Sequence, residues 1–503
     1  MLMGHTDGRG QPPLTPAEPY ATVRETHTGL VVLVGDLAFK CKKPVRTDFL
    51  DFSTPERREE VCQREVELNR RLAPASYLGV AHLNMPCNVA AEPVVVMRRH
   101  PDSSRLATMV RGGQPVTDAL IAIAEVLARF HKTARRGRSI ASHGTVDAVK
   151  TRWTTNITEL QRFADTILDR QRLDAVDHLA SQFLAGRGML LAERISERRI
   201  VDGHGDLLAD DIFCLPDGPE ILDCLEFDDH LRYVDMLDDA AFLAMDLEFL
   251  GHKDLAEFFL DHYSRLAADP APQSLKDFYI AYRALVRAKV DCVRFAQGHL
   301  DATADALRHM DIAQQHLQAG RVRMVVVGGG PGTGKTTLAQ GLARQVGAHV
   351  VSTDEVRRDM QSSGAIRGEA GVLNARLYAD ENVRAVYEEV LRRAHLLLAN
   401  GRSVILDGTW RDPRRRQQAR ELAAQTHAAI LELRCDTAVH TAARRVEARK
   451  AGNISDATPE IACALADNAR QWPEAHTVDT SRPPAEAVRT AEELWHFAGQ
   501  RTR

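Results

Sequence analysis

Several features that define particular classes of protein are missing from this sequence. Its eight cysteines include no C-x-x-C pair, so we expect small buried side chains and neither a disulfide framework nor a cysteine metal site. The formal net charge of -4 over 503 residues gives no general attraction to nucleic acid or to anionic membranes. No apolar run reaches the length of a membrane-spanning helix, and residues 1–20 lack the apolar stretch of a secretory signal. We therefore expect a cytoplasmic protein with no membrane partner.

The length of the chain predicts more than one domain. A single hydrophobic core rarely organises more than about 250–300 residues, and this chain has 503. Residues 1–19 are rich in glycine and proline and are expected to form a flexible lead-in. Near residue 319 the pattern changes from a small β-rich lobe and long helical segments to helices that alternate with apolar strands, predicted at residues 324–327, 349–351, 403–406 and 429–434. We predict an α+β domain over residues 20–318 and an α/β domain over residues 319–503.

Residues 204–211 read HGDLLADD, which has the spacing of a phosphoryl-transfer catalytic loop. Such chemistry needs a carboxylate that orients and deprotonates the accepting hydroxyl, and metal ligands that hold Mg²⁺ on the phosphates. Asp206 is the candidate base, and Asp211 and Asp223 are the candidate metal ligands. Asp223 follows a predicted hairpin whose turn is PDGP, residues 216–219. On its own, an H-G-D sequence would more simply stabilise a turn.

A lysine that would bind the nucleotide phosphates completes the set of candidate residues begun by Asp206, Asp211 and Asp223. Residues 29–43 read GLVVLVGDLAFKCKK and predict two strands around a glycine turn, with Lys40 and Lys42 on one face. The form Leu-Ala-Phe-Lys is that of the kinase strand whose lysine pairs with nucleotide phosphates and with a helix glutamate. The helical pattern of residues 54–72 makes Glu65 the candidate glutamate.

These features together resemble the aminoglycoside phosphotransferase-like family, whose members are relatives of protein kinases. The resemblance covers roughly residues 20–318 and implies a protein-kinase-like bilobal domain. It also implies a kinase that uses ATP and Mg²⁺ to phosphorylate a hydroxyl of an amino sugar or another small compound. One departure is Asp211, because the family usually carries Asn at this place in the loop. Asp is also an oxygen ligand, so the site keeps a coordination point for Mg²⁺.

An acidic string follows the candidate metal ligands. Its members are Glu226, Asp228, Asp229, Asp235, Asp238 and Asp239. The string would suit a cationic substrate. Helix caps, solvated faces and bracing of the catalytic loop by Asp239 explain it more simply.

A second phosphate-handling motif, unrelated to the first, begins at residue 328. The sequence GGGPGTGKTT satisfies G-x-x-x-x-G-K-[ST], follows an apolar strand and opens a helix, which is the context that this motif needs. Its glycines let backbone N–H groups wrap a phosphate at the positive end of the helix. Lys335 would reach the β and γ phosphates, and Thr336 would offer its hydroxyl to Mg²⁺. The residues assigned to ATP are Gly329, Gly330, Pro331, Gly332, Thr333, Gly334, Lys335, Thr336 and Thr337.

Residues after the next strands indicate the kind of P-loop protein. Asp354 and Arg357 leave the second strand as D-x-x-R, and VILDGTW at residues 404–410 forms a later strand. This half resembles P-loop kinases of the polynucleotide kinase, gluconate kinase and zeta-toxin type, which implies a three-layer α/β/α domain with a mainly parallel sheet. The resemblance implies that Asp354 activates the substrate hydroxyl, that Arg357 binds an anionic substrate group, and that Asp407 contacts the metal through water. A simple cap at a strand end is the alternative for Asp407.

Two basic stretches remain. Residues 443–450, ARRVEARK, resemble the mobile lid of these kinases, in which Arg445 and Arg449 would stabilise charge on the phosphates. A solvated basic helix is the alternative. Residues 411–420, RDPRRRQQAR, lack interleaved aromatic residues, so a solvated face is favoured and nucleic acid is not an expected partner.

The whole chain resembles bacterial two-domain proteins that join these two domain types. The expected function is that of a bifunctional ATP-dependent phosphotransferase acting on hydroxyls of small molecules. In one alternative, only the P-loop half transfers phosphate and the first half is inert. In the other, the protein is a nucleotide-sensing regulator that binds ATP and switches a partner. The sequence leaves the acceptors and the oligomeric state open.

Overall fold

The structure is a computed structural model that describes residues 20–25, 29–45, 51–84, 91–367, 379–448 and 472–497. The predicted lead-in, residues 1–19, lies outside the described residues. The chain divides into two compact units. The first unit comprises Met1–His143 and Arg198–Asp269, and the second comprises Gly144–Glu197 and Pro270–Arg503. Each unit is therefore assembled from two stretches of sequence.

The first unit begins with an antiparallel sheet and one helix that covers it. These elements are β1 (Ala21–Glu25), β2 (Gly29–Val34), β3 (Leu37–Lys42), α1 (Pro55–Asn69), β4 (Tyr77–Leu83) and β5 (Glu92–Arg98). The strand order is β1-β2-β3-β5-β4, and each neighbouring pair is antiparallel. Helix α1 starts because the Thr54 hydroxyl caps the N–H of Arg57 and a proline occupies the first turn. Cys62 and Val66 on α1 pack against Val95 of the sheet.

The rest of the first unit places a loop between two small sheets. Its elements are α2 (Leu106–Arg111), α3 (Thr117–Thr133), α4 (Arg138–Ala141), β6 (Ile200–Asp202), β7 (Ile212–Leu215), β8 (Gly218–Ile221), β9 (Tyr233–Asp235), α8 (Met236–Phe249) and α9 (Lys253–Leu266). Strand β6 pairs with β9, and β7 pairs with β8, both antiparallel. The HGDLLADD loop therefore leaves β6 and enters the β7–β8 hairpin.

The second unit is built around a parallel sheet. Its strands are β10 (Arg323–Gly328), β11 (His349–Ser352), β12 (Val404–Asp407), β13 (Ala429–Asp436) and β14 (His476–Asp479). Their order is β11-β12-β10-β13-β14, and all four pairings are parallel. The described helices of the unit are α5 (Val146–Leu160), α6 (Arg170–Gly186), α7 (Gly188–Ser196), α10 (Gln273–Ala296), α11 (Ala302–Ala319), α12 (Lys335–Val346), α13 (Thr353–Ser362), α14 (Asp380–Ala399), α15 (Pro413–Gln425), α16 (Val439–Glu447) and α17 (Pro484–Phe497).

Helices cover both faces of this parallel sheet. Side chains alternate along β10, so Met324 and Val326 enter the core shared with α13, α14 and α15. Val325 and Val327 enter the opposite core, which is shared with α12 and α17. A strand buried on both faces explains why the sequence there is a continuous apolar run. The result is the predicted three-layer α/β/α arrangement.

A buried arginine attaches the earlier helices of the second unit to those around the sheet. Arg187 is 1% exposed, and its Nη1 donates to the carbonyl oxygens of Gly186 (2.6 Å), Leu398 (2.7 Å) and Thr426 (3.0 Å). These carbonyls lie at the ends of α6, α14 and α15, where helices carry partial negative charge. The helix ends therefore compensate the guanidinium, which has no acidic partner among the described residues.

The structure confirms the predicted fold class. The strands predicted within residues 29–43 form the β2–β3 hairpin, and the helix predicted over residues 54–72 is α1. Strand β14, which has four residues, was not predicted. The domain boundary predicted at residue 319 stays a prediction, because each compact unit combines two stretches of sequence. No helix in the described part of the chain has both the length and the apolar composition needed to cross a bilayer.

Candidate active sites

Carboxylates from a single helix hold the HGDLLADD loop of the first unit. Asp239 on α8 accepts hydrogen bonds from the backbone N–H groups of His204 (2.7 Å) and Gly205 (2.9 Å). Asp246, about two helical turns further along α8, accepts one from the backbone N–H of Ala209 at 2.7 Å. The beginning and the middle of the loop are therefore fixed to the same helix.

A buried histidine in turn holds Asp239. Nε2 of His131 lies 3.0 Å from Asp239 Oδ2, and its Nδ1 lies 2.6 Å from the Tyr263 hydroxyl. The side chains of His131 and Asp239 are fully buried. Burial alone would raise the pKa of Asp239, but His131 and the backbone amide of His204 hold it well below its usual range. Asp239 is therefore a charged brace, which is the simpler of the two roles considered for it.

Asp206, the candidate base, lies between the anchored parts of this loop. It is half-buried, and its backbone N–H donates to Nδ1 of His204 at 3.3 Å. Nε2 of His204 lies 3.0 Å from the carbonyl oxygen of Leu222, which joins the loop to the residue before Asp223. Gly205 has a φ of 89°, a conformation that glycine adopts with little strain. The two residues before Asp206, His204 and Gly205, thus fix its backbone position.

Lys40, Glu65 and Asp223 meet in one ion-paired group. Nζ of Lys40 lies 2.8 Å from Glu65 Oε1 and 2.6 Å from Asp223 Oδ1. Strand β3 supplies the lysine, α1 supplies the glutamate, and Asp223 follows the β7–β8 hairpin. Burial lowers the pKa of Lys40, but Asp223 and Glu65 raise it well above its ordinary value. Residues predicted from three separate motifs are therefore brought together around a charged ammonium group.

Asp211 adds a further carboxylate to this group. It is the last residue of the short 3₁₀ helix Ala209–Asp211 that ends the loop. Burial, Asp223 and Asp206 raise the pKa of Asp211 well above its ordinary value, and Arg105 opposes the rise. Carboxylates therefore outnumber the cations near Asp211, and a divalent cation would relieve their repulsion.

The donor set suits Mg²⁺ that is shared with phosphates. Within the described ranges, no three His, Cys, Asp or Glu side chains gather closely enough to hold a metal ion by themselves. Mg²⁺ at kinase sites is usually bound by one or two carboxylates, while phosphate oxygens and waters complete its shell. Asp211 and Asp223 would supply those two carboxylates.

The acidic string downstream of the loop is engaged in the fold. Asp229 pairs with Arg232 at 2.5 Å and with Arg64 at 3.3 Å. Asp228 caps the short helix that follows it, and Asp235 caps α8. These contacts favour the structural role of the string over the binding of a cationic substrate.

The second site is built around the glycine-rich loop between β10 and α12. Gly332 and Gly334 have φ values of 76° and 85°, which disfavour residues with a side chain. A Cβ at Gly332 would also overlap the carbonyl oxygen of Ala442. Lys335 opens α12, and its Nζ donates to the carbonyl oxygen of Gly330 at 2.9 Å. The positive end of α12 thus follows the loop directly, which is the arrangement that binds phosphate.

Thr336 and Asp407 meet beside this loop. Oγ1 of Thr336 donates to Asp407 Oδ2 at 2.7 Å. Asp407 is buried at the end of β12, the parallel neighbour of β10. Burial raises the pKa of Asp407, while Lys335 and Thr336 oppose the rise. A hydroxyl beside a carboxylate is an oxygen donor set that fits Mg²⁺.

Asp354 and Arg357 lie after the adjacent strand. Ser352 at the end of β11 is opposite Asp407 in the sheet, and its hydroxyl caps the N–H of Asp354. Oδ1 of Asp354 lies 2.7 Å from Nη1 of Arg357. The register of the sheet therefore brings this predicted pair to the carboxyl edge where Asp407 lies, which is where open α/β sheets bind ligands.

Tyr387 reaches the same edge from α14 and was not predicted. Its hydroxyl lies 3.1 Å from Thr409 Oγ1 and accepts a hydrogen bond from the N–H of Trp410 at 3.3 Å. Burial raises the pKa of Tyr387, and the charges of Arg357 and Asp354 also act on it. Trp410 is fully buried with a φ of 49°, a strained conformation for a residue other than glycine. Both aromatic residues therefore lie beside the carboxyl edge of the sheet without having been predicted there.

A cavity of about 170 Å³ opens beside the phosphate loop, with Gly334, Arg445, Thr480 and Pro484 in its lining. Nη2 of Arg445 donates to the carbonyl oxygen of Thr480 at 2.9 Å, and Oγ1 of Thr480 donates to that of Thr333 at 2.6 Å. Arg445 therefore lies next to the phosphate loop, where the resemblance to the kinase lid predicted that it acts. Thr480 and Pro484 were not predicted, because the preceding strand, β14, was missed.

The other predicted lid residue, Arg449, lies outside the described residues.

Comparisons with known proteins found one family model and several solved structures that are similar to parts of this chain. The family described as AAA domain matches residues 324–469. A gluconokinase from Sinorhizobium meliloti 1021 is 18% identical, with 35% of this chain and 94% of that chain covered and a TM-score of 0.28. A choline/ethanolamine kinase family protein from Mesorhizobium loti is 15% identical, with 60% and 94% covered and a TM-score of 0.36. Aminoglycoside 2'-phosphotransferase-IIIa, solved as its GDP complex, is 13% identical, with 60% and 95% covered and a TM-score of 0.37.

Each compact unit contains one of the two predicted sets of site residues. The parallel sheet, its glycine-rich loop and the match to the AAA domain support the predicted P-loop fold of the second half. The uncharacterized proteins Rv2004c of Mycobacterium tuberculosis (strain ATCC 25618 / H37Rv) and Mb2027c of Mycobacterium bovis (strain ATCC BAA-935 / AF2122/97) are each 58% identical over 481 residues. The match covers 96% of this chain and 96% of each relative. The chain belongs to the family of these mycobacterial proteins.

Proposed function

We propose that the protein is a bifunctional ATP-dependent phosphotransferase that transfers the γ-phosphoryl group of ATP to hydroxyls of small molecules. The observation that carries this proposal is a separate phosphoryl-transfer set in each compact unit. Each set combines a carboxylate suited to act as a base, a lysine directed to phosphates, and oxygen ligands for a metal. The first set is Asp206, Lys40, Asp211 and Asp223, and the second is Asp354, Lys335, Thr336 and Asp407.

In the first site, Lys40 binds the phosphates of ATP while Glu65 keeps its side chain in place. Asp206 accepts the proton of the acceptor hydroxyl as that oxygen attacks the γ-phosphorus. The bond from this phosphorus to the ADP oxygen breaks, so the products are a phosphate ester, ADP and a proton. Mg²⁺ bound by Asp211 and Asp223 would neutralise charge on the phosphates. An amino sugar or another small hydroxyl compound is the proposed acceptor.

In the second site, the N–H groups of the glycine-rich loop and Lys335 bind the β and γ phosphates. Asp354 accepts the proton of the second acceptor, and Arg357 binds an anionic group on it. Arg445 stabilises negative charge on the transferring group. The cavity beside Gly334 lies next to this loop, and we place part of the nucleotide there.

The geometry of the first site supports activity over the alternative of an inert first half. Two carboxylates and a buried histidine fix the loop that carries Asp206. A candidate base held in one position lowers the entropy cost of reaching the transition state. A domain that only sensed nucleotide would need the contacts of Lys40 but not a fixed Asp206.

The test is a screen of the purified protein for acceptor-dependent release of ADP from ATP. The acceptors are amino sugars, aminoglycosides, nucleosides and polynucleotide ends. Lys335→Ala should remove turnover with one group of acceptors, Asp206→Asn should remove turnover with another, and the double variant should remove both. Asp210→Asn and Glu355→Gln, exposed neighbours of the two candidate bases, control for the loss of a nearby charge.

Each other result favours a stated alternative. ADP release that persists in the double variant would show that neither assigned site carries the reaction. Turnover that disappears entirely in Lys335→Ala would favour an inert first half. ATP binding that changes the shape of the protein without forming product from any acceptor would favour the nucleotide sensor.

A further inference from the structure

A second lysine of β3, Lys42, is buried in the first site and has no part in the transfer steps described above. Side chains two residues apart on a strand point to the same face, so Lys42 lies beside Lys40. Its Nζ is 2.7 Å from Glu65 Oε2, while that of Lys40 is 2.8 Å from Oε1. Glu65 therefore lies between the two ammonium groups, with one carboxylate oxygen close to each. Because an ammonium group has three N–H donors, each lysine can pair with Glu65 and with a second acceptor.

The second acceptors of the two lysines both belong to one short segment. Lys40 donates to Asp223 Oδ1 at 2.6 Å, and Lys42 donates to Glu226 Oε1 at 2.5 Å. Asp223 and Glu226 are the first and last residues of the sequence DCLE. Adjacent lysines of β3 therefore hold both ends of this segment.

The segment needs such contacts because the backbone of Asp223 is strained. Its φ is 61°, a conformation that costs roughly 1–3 kcal/mol and persists only where the surroundings enforce it. Three hydrogen bonds hold the middle of the segment: from the N–H of Cys224 to Asn69 Oδ1 (2.8 Å), from the N–H of Leu225 to the carbonyl oxygen of His204 (3.2 Å), and from Arg232 Nη1 to the carbonyl oxygen of Leu225 (2.7 Å). The pair between Lys42 and Glu226 adds a contact at its far end.

Burial favours a single conformation in which Lys42 and Glu226 are paired. The side chain of Lys42 is 1% exposed and that of Glu226 is 11% exposed. A buried charge without a partner costs several kcal/mol, so each group favours a conformation in which the pair is made. Burial lowers the pKa of Lys42, but Glu65 and Glu226 raise it above its ordinary value against the effect of Lys40. Lys42 is therefore a charged anchor with little exposure to water.

We propose that Lys42 and Glu226 are positioning residues that hold Asp223 where it binds the metal. This inference rests on the proposed function of the first site. Lys40 must turn toward the phosphates when ATP binds, and its contact with Asp223 weakens at that step. Lys42 has no such task, so its contact with Glu226 holds the segment while Lys40 changes partners.

The test is the Mg²⁺ dependence of ATP binding, measured by isothermal titration calorimetry on Lys335→Ala protein so that the second site contributes little. Glu226→Ala should raise the Mg²⁺ concentration for half-maximal ATP binding about tenfold, the lower end of what loss of a residue supporting a metal ligand causes. The affinity for ATP without Mg²⁺ should stay unchanged. Glu226→Gln should raise the Mg²⁺ requirement less than Glu226→Ala does, because the glutamine amide oxygen still accepts a hydrogen bond from Lys42. Glu67→Ala, which removes an exposed carboxylate of α1, is the matched control and should behave as the parent protein.

Three outcomes separate the inference from the function on which it rests. A raised Mg²⁺ requirement in Asp223→Asn, with none in Glu226→Ala, would overturn the positioning role and leave the function intact. No change in Asp223→Asn would overturn the proposed function of the first site, and the inference with it. If Glu226→Ala weakens ATP binding equally with and without Mg²⁺, its role is only structural and the inference is wrong.

Discussion

The two sites differ in how far apart their parts lie along the chain. The second site takes its loop, its lysine and its threonine from residues 329–336, a single strand-to-helix turn. In the first site, Lys40 and Asp223 are 183 residues apart. A local set is shaped by backbone conformation, whereas a dispersed set must be aligned by contacts between side chains.

This difference changes which residues hold each site. The glycine-rich loop is shaped by backbone conformations that only glycine adopts easily, such as those of Gly332 and Gly334. The first site instead employs charged side chains as braces, among them Asp239 and Asp246. We therefore expect activity at the first site to be sensitive to substitutions outside the transfer set, and activity at the second to depend more on its motif.

The largest expected effect concerns the base of the second site. Asp354→Asn should lower the rate of transfer to the acceptor of the second half by about 10²- to 10⁴-fold, because a general base contributes mainly in the transition state. Affinity for ATP should change little. Steady-state kinetics and calorimetric ATP binding check this, with Glu355→Gln as the control. An equal loss of ATP affinity would instead make Asp354 a binding or structural residue.

A buried residue next to the second site should matter for stability. Trp410→Ala should lower the free energy of unfolding by about 3–5 kcal/mol, because it removes a large, fully buried side chain. Hydrogen exchange measured peptide by peptide should show the loss of protection in the second unit and not in the first. Leu396→Ala is the control, since Leu396 is 40% exposed. Equal loss of protection in both units would contradict the division drawn here.

Asp246, which holds the catalytic loop of the first site, allows the two sites to be compared directly. Asp246→Ala removes the acceptor for the N–H of Ala209 and leaves that buried group without a partner, at a cost of about 1–3 kcal/mol. The loop that carries Asp206 should then be less well fixed, and turnover at the first site should fall by roughly tenfold at constant ATP affinity. Turnover at the second site, followed with its own acceptor, should remain unchanged. A parallel loss at both sites would point to general destabilisation.

Substitution of Asp211, the unusual residue of the catalytic loop, should change activity less. In a Lys335→Ala background, Asp211→Asn should keep transfer and raise the magnesium requirement several-fold, because Asn remains an oxygen ligand but lacks the charge. Activity measured against Mg²⁺ concentration provides the test. If Asp206→Asn changes nothing in the same background, the loop is better read as part of a nucleotide sensor.

A dependence of stability on pH is also expected in the first unit. Burial lowers the pKa of His100 to about 4, below its ordinary value near 6.5. The unfolded chain therefore binds a proton in this range that the folded chain does not, so stability should decrease as pH falls from about 6.5 toward 4. Denaturant unfolding followed in the first unit should show a weaker pH dependence in His100→Gln. An identical slope in both proteins would exclude His100 as the source.

Much of the architecture followed from local patterns. The hairpin of residues 29–43, helix α1 and four of the five parallel strands were predicted, because alternation and helical periodicity report how a segment is buried. Strand β14 was missed, since a four-residue strand with three exposed positions carries little periodic signal. That omission also hid Thr480 and Pro484, which follow it beside the phosphate loop.

The sequence by itself determined those parts of each site that are formed by contiguous residues. Glycines, a lysine and a threonine at fixed spacing specify a backbone conformation, so the second site could be located before its surroundings were known. The tertiary structure alone decided which side chains support the first site. His131, Asp246 and the pair of Lys42 and Glu226 are common residue types far apart in the chain. Only the burial that brings such charged groups together distinguishes a brace from an ordinary surface residue.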